Sequence, residues 1–138
     1  VTADELATSY FIRARKRKGA LDALMQAEAY PDVVREAQEL VELVLKGMLR
    51  WIGVDPPHWH DVGPILVEQL DRFPPAIQHG IPRLAEISLR LRRDREAAFY
   101  GDIDLIPEHV FGRDAAERAL AEADEVLAAL GHFPLDRA

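Results

Sequence analysis

One stretch, Tyr30 to Gly53, constrains what the rest of the chain can do. Ala37, Leu40, Val41, Val44, Leu45, Met48, Trp51 and Ile52 recur at steps of three and four. That is the spacing of one apolar face at about 3.6 residues per turn. Arg35, Glu39, Glu42, Lys46 and Arg50 fall on or near the opposite side. Pro31 and Asp32 suit the start of a helix, where the N–H that proline lacks would have no partner and an acidic side chain meets the positive end. Arg50 in the last turn, then Gly53, Pro56 and Pro57, mark the stop. A helix so apolar on one side must pack against others, and the remaining segments supply them.

Ala3 to Ala29 reads as the first helix, with Thr2 and Glu5 at capping-box spacing and a stripe of Leu6, Tyr10, Ala14, Leu21 and Leu24. Arg13 and Arg17 project into that stripe, and Gly19 suggests a close helix contact. Val54 to Trp59 is a proline-rich loop, after which His60-Asp61 opens a short helix to Phe73. Pro74-Pro75 ends it, and a less regular stretch follows to Gly80. Pro82 to Tyr100 is a fourth helix with a stripe of Leu84, Ile87, Ser88, Leu91 and Ala98, and Arg95 falls inside that stripe. The apolar residues between Gly101 and Gly112 suggest a connection tucked against the body. Arg113 to Leu130 is the last helix, with Ala116, Ala119, Leu120, Ala123, Val126 and Leu127 on one face. No segment alternates with period two. The expectation is an all-α protein: an antiparallel up-down bundle of four long helices plus one short helix, a single domain over residues 1–138.

Composition narrows the function. The 138 residues include no cysteine, which removes disulfides and thiolate zinc. No apolar run approaches a membrane span and no secretory pattern opens the sequence, so no membrane is expected and the location reads as cytoplasmic. The net charge of −7 argues against general nucleic-acid binding, yet Arg13, Arg15, Lys16, Arg17 and Lys18 form one basic block, and Arg83, Arg90, Arg92, Arg93 and Arg95 another. His58, His60 and Asp61 are of metal-ligand type, but capping and loop packing account for them, and no metal or cofactor is expected. Phosphate-loop, nucleophile-elbow and zincin motifs are all missing. Arg13, Arg17 and Arg95 on apolar faces need anionic partners. Three solutions are open: pairing with Glu39 or Glu42 inside the bundle, a groove that takes phosphate, or a dimer seam.

Ala37-Gln38, Glu42 and Leu45-Lys46, followed by Gly53 and His60-Asp61, resemble the signature of the HEPN family: an A-Q-x-x-x-E-x-x-L-K helix, a Gly-containing turn and an H-D pair. Ala14 and Ala20-Leu21 fit the first helix, and Tyr30 precedes the second. Arg95, Ala98 and Tyr100-Gly101-Asp102 fit the fourth helix and its exit. Asp114-Ala115 through Ala123 and Val126-Leu127 fit the last. The resemblance covers nearly the whole chain. It implies a compact helical bundle, usually a homodimer. Many members are metal-independent RNases, often toxins paired with a small nucleotidyltransferase antitoxin, and others are non-catalytic partners that bind nucleotides or RNA.

The RNase motif of the family is R-x(4–6)-H near the end of the fourth helix. Its arginine stabilises charge on the scissile phosphate and its histidine moves a proton. Here Arg95 and Arg93 are followed, after four and six residues, by Tyr100, and the nearest downstream histidine is His109. A phenol of ordinary pKa about 10 is a poor base at neutral pH, though it can stack on a base or bond a phosphate. The resemblance therefore implies a nucleotide- or RNA-phosphate-binding partner of a nucleotidyltransferase or toxin–antitoxin-type system. Arg95 would be the anion contact, Arg93 its helper, Tyr100 the base or sugar contact, and Asp102 the residue that sets the following loop. The alternatives are an active metal-independent RNase toxin using Arg95 and Tyr100, and an assembly subunit without a ligand.

Overall fold

A computed structural model describes residues 1–58, 61–100, with side chains through 97, and 106–133. The long helices are α1 (Ala3–Gln26) and α2 (Tyr30–Trp51), then α5 (Ile81–Tyr100) and α7 (Arg113–Ala128). Between them stand three short ones: α3 (Gly63–Glu68), α4 (Pro75–Gln78) and α6 (Pro107–Val110). The described residues contain no strand, so the all-α bundle is as expected. No helix among them is long and apolar enough to cross a membrane.

Helix α2 is the centre. Thirteen of its residues are buried, from Pro31 to Trp51, because α1, α5 and α7 all pack on it. Residue pairings give the directions. Arg17 of α1 meets Glu36, while Tyr10 and Phe11 meet Gly47, so α1 and α2 run antiparallel. Arg95 of α5 meets Gln38, while Arg92 meets Glu42, so α2 and α5 are antiparallel as well. Gly47 is needed for the first crossing, since a Cβ there would lie 2.6 Å from the Phe11 ring and 2.9 Å from the Tyr10 Cβ. Gly19, by contrast, has nothing within 4 Å of a built Cβ and marks no close contact.

The start of α1 and the end of α2 follow their sequence signals, and the end of α1 does not. Thr2 and Glu5 form the reciprocal capping box, at 3.0 and 3.1 Å. Gly53, at φ +80, ends α2: its N–H donates to Arg50 O and that of Val54 to Leu49 O, so two otherwise orphaned carbonyls are satisfied. The same pair of bonds ends α1, from Glu28 N–H to Met25 O and from Ala29 N–H to Leu24 O, but the left-handed position is held by Glu28, at φ +58. With no glycine to mark the stop, the predicted helix runs three residues beyond the observed end at Gln26.

Several stripes turn out rotated or shorter. The buried line of α1 is Ala7, Phe11, Ala14 and Leu21, so Leu6 and Tyr10 sit at its margin and Arg13 is exposed. The short helix expected to reach Phe73 stops at Glu68 and continues as a 3-10 turn at Leu70–Arg72, and the irregular stretch after it contains α4. In the connection before α7, Phe111 is buried, but Ile106 and Val110 are 51% and 53% exposed, so it is only partly tucked in. Ile103 and Leu105 lie outside the described residues.

Phe133, just beyond α7, closes the core by packing on Phe11, Trp51 and Phe73 at ring-centroid distances of 5.8, 5.3 and 6.3 Å. Glu122 of α7 is buried and takes hydrogen bonds from Arg90 of α5 and Arg118, each at 3.1 Å. A carboxylate so buried is tolerable only because it is paired. Lys18 ties α1 to α7 through Asp124 at 3.1 Å, beside Asp22 at 2.7 Å. Burial pulls the Lys18 pKa down, but hydrogen bonds and attraction from both aspartates outweigh it and leave the value raised.

Candidate functional site: a charged cleft between two helices

On the polar flank of α2 a cleft of about 310 Å³ opens toward α5. Helix α2 contributes Gln38, Glu42 and Lys46, which recur every four residues and so share one face. Helix α5 contributes Arg92, Arg95 and Glu96, and the loop leaving α2 contributes His58. Advancing about 100° per residue puts Arg92 and Arg95 on the same side of α5 and turns Arg93 nearly opposite. Arg93 is exposed and does not line the cleft, so the arginine beside Arg95 is Arg92 and not Arg93.

Arg95 is the most constrained cation here. Its Nη1 donates to Gln38 Oε1 at 2.9 Å, and its Nη2 stands 3.0 Å from Glu39 Oε1. Its Nε is buried and finds no acceptor among the described residues. Gln38 is buried, and its Nε2 donates onward to Glu42 Oε2 at 3.1 Å. Only one orientation of the Gln38 amide serves both neighbours, with oxygen toward the guanidinium and nitrogen toward the carboxylate. Glu42 also faces Lys46 at 3.5 Å and Arg92 at 3.8 Å. One relay of hydrogen bonds and charges thus runs from Arg95 through Gln38 and Glu42 to Lys46 and Arg92. Of the solutions left open by the sequence, Arg95 takes the pairing with Glu39, and it lines a cleft as well.

The other arginines resolve differently. Arg17 Nη1 stands 2.6 Å from Glu36 Oε1 on the far side of the α2 ridge. Arg13 lies outside the core, its guanidinium 4.5 Å from the centre of the Tyr10 ring. Asp61 of the H-D pair does structural work: its Oδ1 accepts from Ser88 Oγ at 2.7 Å and from Gly63 N–H at 3.2 Å, fastening the start of α3 to α5. Gly63 allows that approach, since a Cβ there would sit 3.1 Å from the Ala85 carbonyl oxygen. His60, Asp102 and the side chain of Tyr100 lie outside the described residues. Among the described residues no group of His, Asp and Glu side chains could hold a metal ion.

With the relay joining the A-Q-x-x-x-E-x-x-L-K residues to Arg95 in view, the family match can be placed on the fold. A HEPN domain model matches residues 7–133. The chain belongs to the HEPN family. No curated protein and no solved structure matches it. Membership supports a function connected with nucleotides or RNA. In this HEPN chain Gln38, Glu42 and Lys46 stand as cleft residues rather than only as helix-forming ones. Their spacing in the sequence showed them on one face. Arg92 was missed in favour of Arg93, although its place three residues before Arg95 is the signal that finds it. His58 was not legible, because a residue in an aperiodic loop has no spacing that states where it points.

Proposed function

We propose that this HEPN protein holds a nucleotide or RNA phosphate in the cleft between α2 and α5, and that it serves as the binding partner of a nucleotidyltransferase in a toxin–antitoxin-type system. The observation that carries the reading is the convergence of Arg92, Arg95 and Lys46 in one cleft, with Arg95 oriented by Gln38. A guanidinium presents a planar fork that fits two phosphate oxygens and stays charged at any physiological pH. A phosphate arriving at Arg95 takes the place now held by the Glu39 carboxylate. The base or sugar contact is assigned to Tyr100 and the shape of the following loop to Asp102, on their spacing after Arg95. The protein acts as a homodimer, as the family resemblance implies, and in the cytoplasm, as its composition suggests.

Calorimetric titration with a nucleoside monophosphate and with a short single-stranded RNA tests the site. Arg95→Ala should lower affinity by about tenfold or more, the scale of a lost charge-assisted contact, with an unchanged circular dichroism spectrum. Equal affinity in a folded Arg95→Ala protein would remove the assignment.

One observation favours the RNase reading as the second: His58 lines the same cleft as Arg92 and Arg95. An imidazole is the side chain best matched to proton transfer near neutrality. RNA cleavage that survives EDTA and is lost in both Arg95→Ala and His58→Gln would move that reading to first place. Folded protein that leaves an RNA pool intact would retire it.

A further inference from the structure

The cleft gathers Lys46 of α2 and Arg92 and Arg95 of α5, and no cation of α1 lines it. Most charged side chains in this acidic protein are matched: Arg17 with Glu36, Lys18 with Asp22 and Asp124, Arg90 with Glu122, Arg95 with Glu39. Arg13 and Lys16 are exposed, and among the described residues neither pairs with a carboxylate. They are three residues apart and so project from the same side of α1.

Their position relative to the cleft follows from the antiparallel packing. Arg17 stands opposite Glu36 and Tyr10 opposite Gly47, so Arg13 falls between those levels, alongside the part of α2 that carries Gln38, Glu42 and Lys46. The exposed ridge of α2 separates the two sets of cations. Its carboxylates, Glu36, Glu39 and Glu42, are each already held by a cation, so the ridge is no strong barrier to an anion. Neighbouring helices pack roughly 8–10 Å apart, so α1 and α5, both packed on α2, stand at most about 16–20 Å apart. One mononucleotide does not reach both sides, whereas a chain of phosphates does.

We propose that the basic face of α1, Arg13 and Lys16, extends the α2–α5 cleft into a track for single-stranded RNA, so that the ligand is an oligonucleotide with its flanking phosphates on α1. This rests on the cleft reading above and names its ligand class. The Arg13 guanidinium lies 4.5 Å from the centre of the half-exposed Tyr10 ring, which steadies an otherwise mobile cation on the surface of α1. A single strand suits this surface because its phosphates repeat along the chain and binding releases counterions at each cation it meets.

Fluorescence anisotropy with a labelled 12-nucleotide single-stranded RNA, with competition by a nucleoside monophosphate, tests the proposal on three proteins: wild type, Arg13→Ser/Lys16→Ser and Arg95→Ala. Both α1 residues are exposed and outside the core, so the double variant should fold. The expected result is about tenfold weaker RNA binding in the double variant at 100 mM salt and a slope of log K against log salt shallower by about 1.4, two contacts at roughly 0.7 each. Monophosphate affinity should stay unchanged in that variant and fall in Arg95→Ala. Unchanged RNA affinity and salt slope in the double variant, with Arg95→Ala still weakening both probes, would overturn the track and leave the cleft standing. If neither variant affects either probe, track and cleft fall together. A polyglutamate peptide that competes for wild type but not for the double variant, with RNA affinity unmoved, would assign the α1 face to an acidic protein and also overturn the track.

Discussion

Arg95 shows how much one residue can carry, and also what opposes it. Its guanidinium is oriented by Gln38 and neutralised by Glu39, so any anion that binds there exchanges with a carboxylate rather than filling a vacancy. Removing the competitor while keeping its shape should help. Glu39→Gln is expected to raise phosphate affinity about three- to tenfold, the worth of a partly exposed charge pair, and a titration at constant ionic strength would show it. Weaker binding in this variant would mean that Glu39 orients Arg95 instead of competing for it. At this scale the sequence was informative about identity and less so about direction. The helical period separated Arg95 from the polar face, and its need for an acidic partner was met by one of the two glutamates named. The same reasoning placed Arg13 in a core stripe, yet it is exposed, because α1 turns Ala7 and Phe11 inward rather than Leu6 and Tyr10. Both sets have acceptable spacing, and only the position of the neighbouring helices chooses between them.

The helices themselves follow from local rules wherever a capping residue or a glycine stands at the boundary, as at Thr2 and Gly53. Glu28 breaks the pattern. A side chain at φ +58 costs roughly 1–2 kcal/mol relative to glycine, while its ion pair with Arg113 joins two side chains more than half exposed and contributes little. Glu28→Gly should therefore stabilise the protein by about 0.5–1 kcal/mol despite the greater freedom of glycine in the unfolded chain. Urea denaturation would read this as a higher midpoint at unchanged slope. A lower midpoint would show that the Arg113 contact matters more than the backbone strain. The link between α1 and α7 has its own signature. Because the Lys18 pKa is raised in the fold, its contribution is fully present below its ordinary value of about 10.4 and fades as pH rises through the higher folded value. The melting temperatures of wild type and Lys18→Met should differ slightly at pH 8 and converge as pH climbs past the ordinary lysine range. A gap independent of pH would assign the effect to the lysine's aliphatic stem.

For the molecule as a whole, binding at the cleft should register as global stability, since α2 is both the wall of the site and the centre of the core. Ligand at about 100 times its dissociation constant adds roughly 2.7 kcal/mol, a rise of several degrees in melting temperature for a chain of this size. Arg95→Ala should lose that rise while keeping its own transition cooperative, and a rise that persists in the variant would place the ligand elsewhere. The bundle was legible at this scale because four amphipathic stretches with short connections leave few other ways to bury their faces. The cleft was legible only in part, because it is formed where two helices and a loop meet, and periodicity describes each helix alone. One further consequence lies in Phe133. Its ring sits among Phe11, Trp51 and Phe73, residues translated far earlier, so the aromatic end of the core stays open on the ribosome until Phe133 has emerged from the exit tunnel. Closing this end of the core therefore waits for the last of its four rings, and the apolar surface exposed until then is where a chaperone would find its hold.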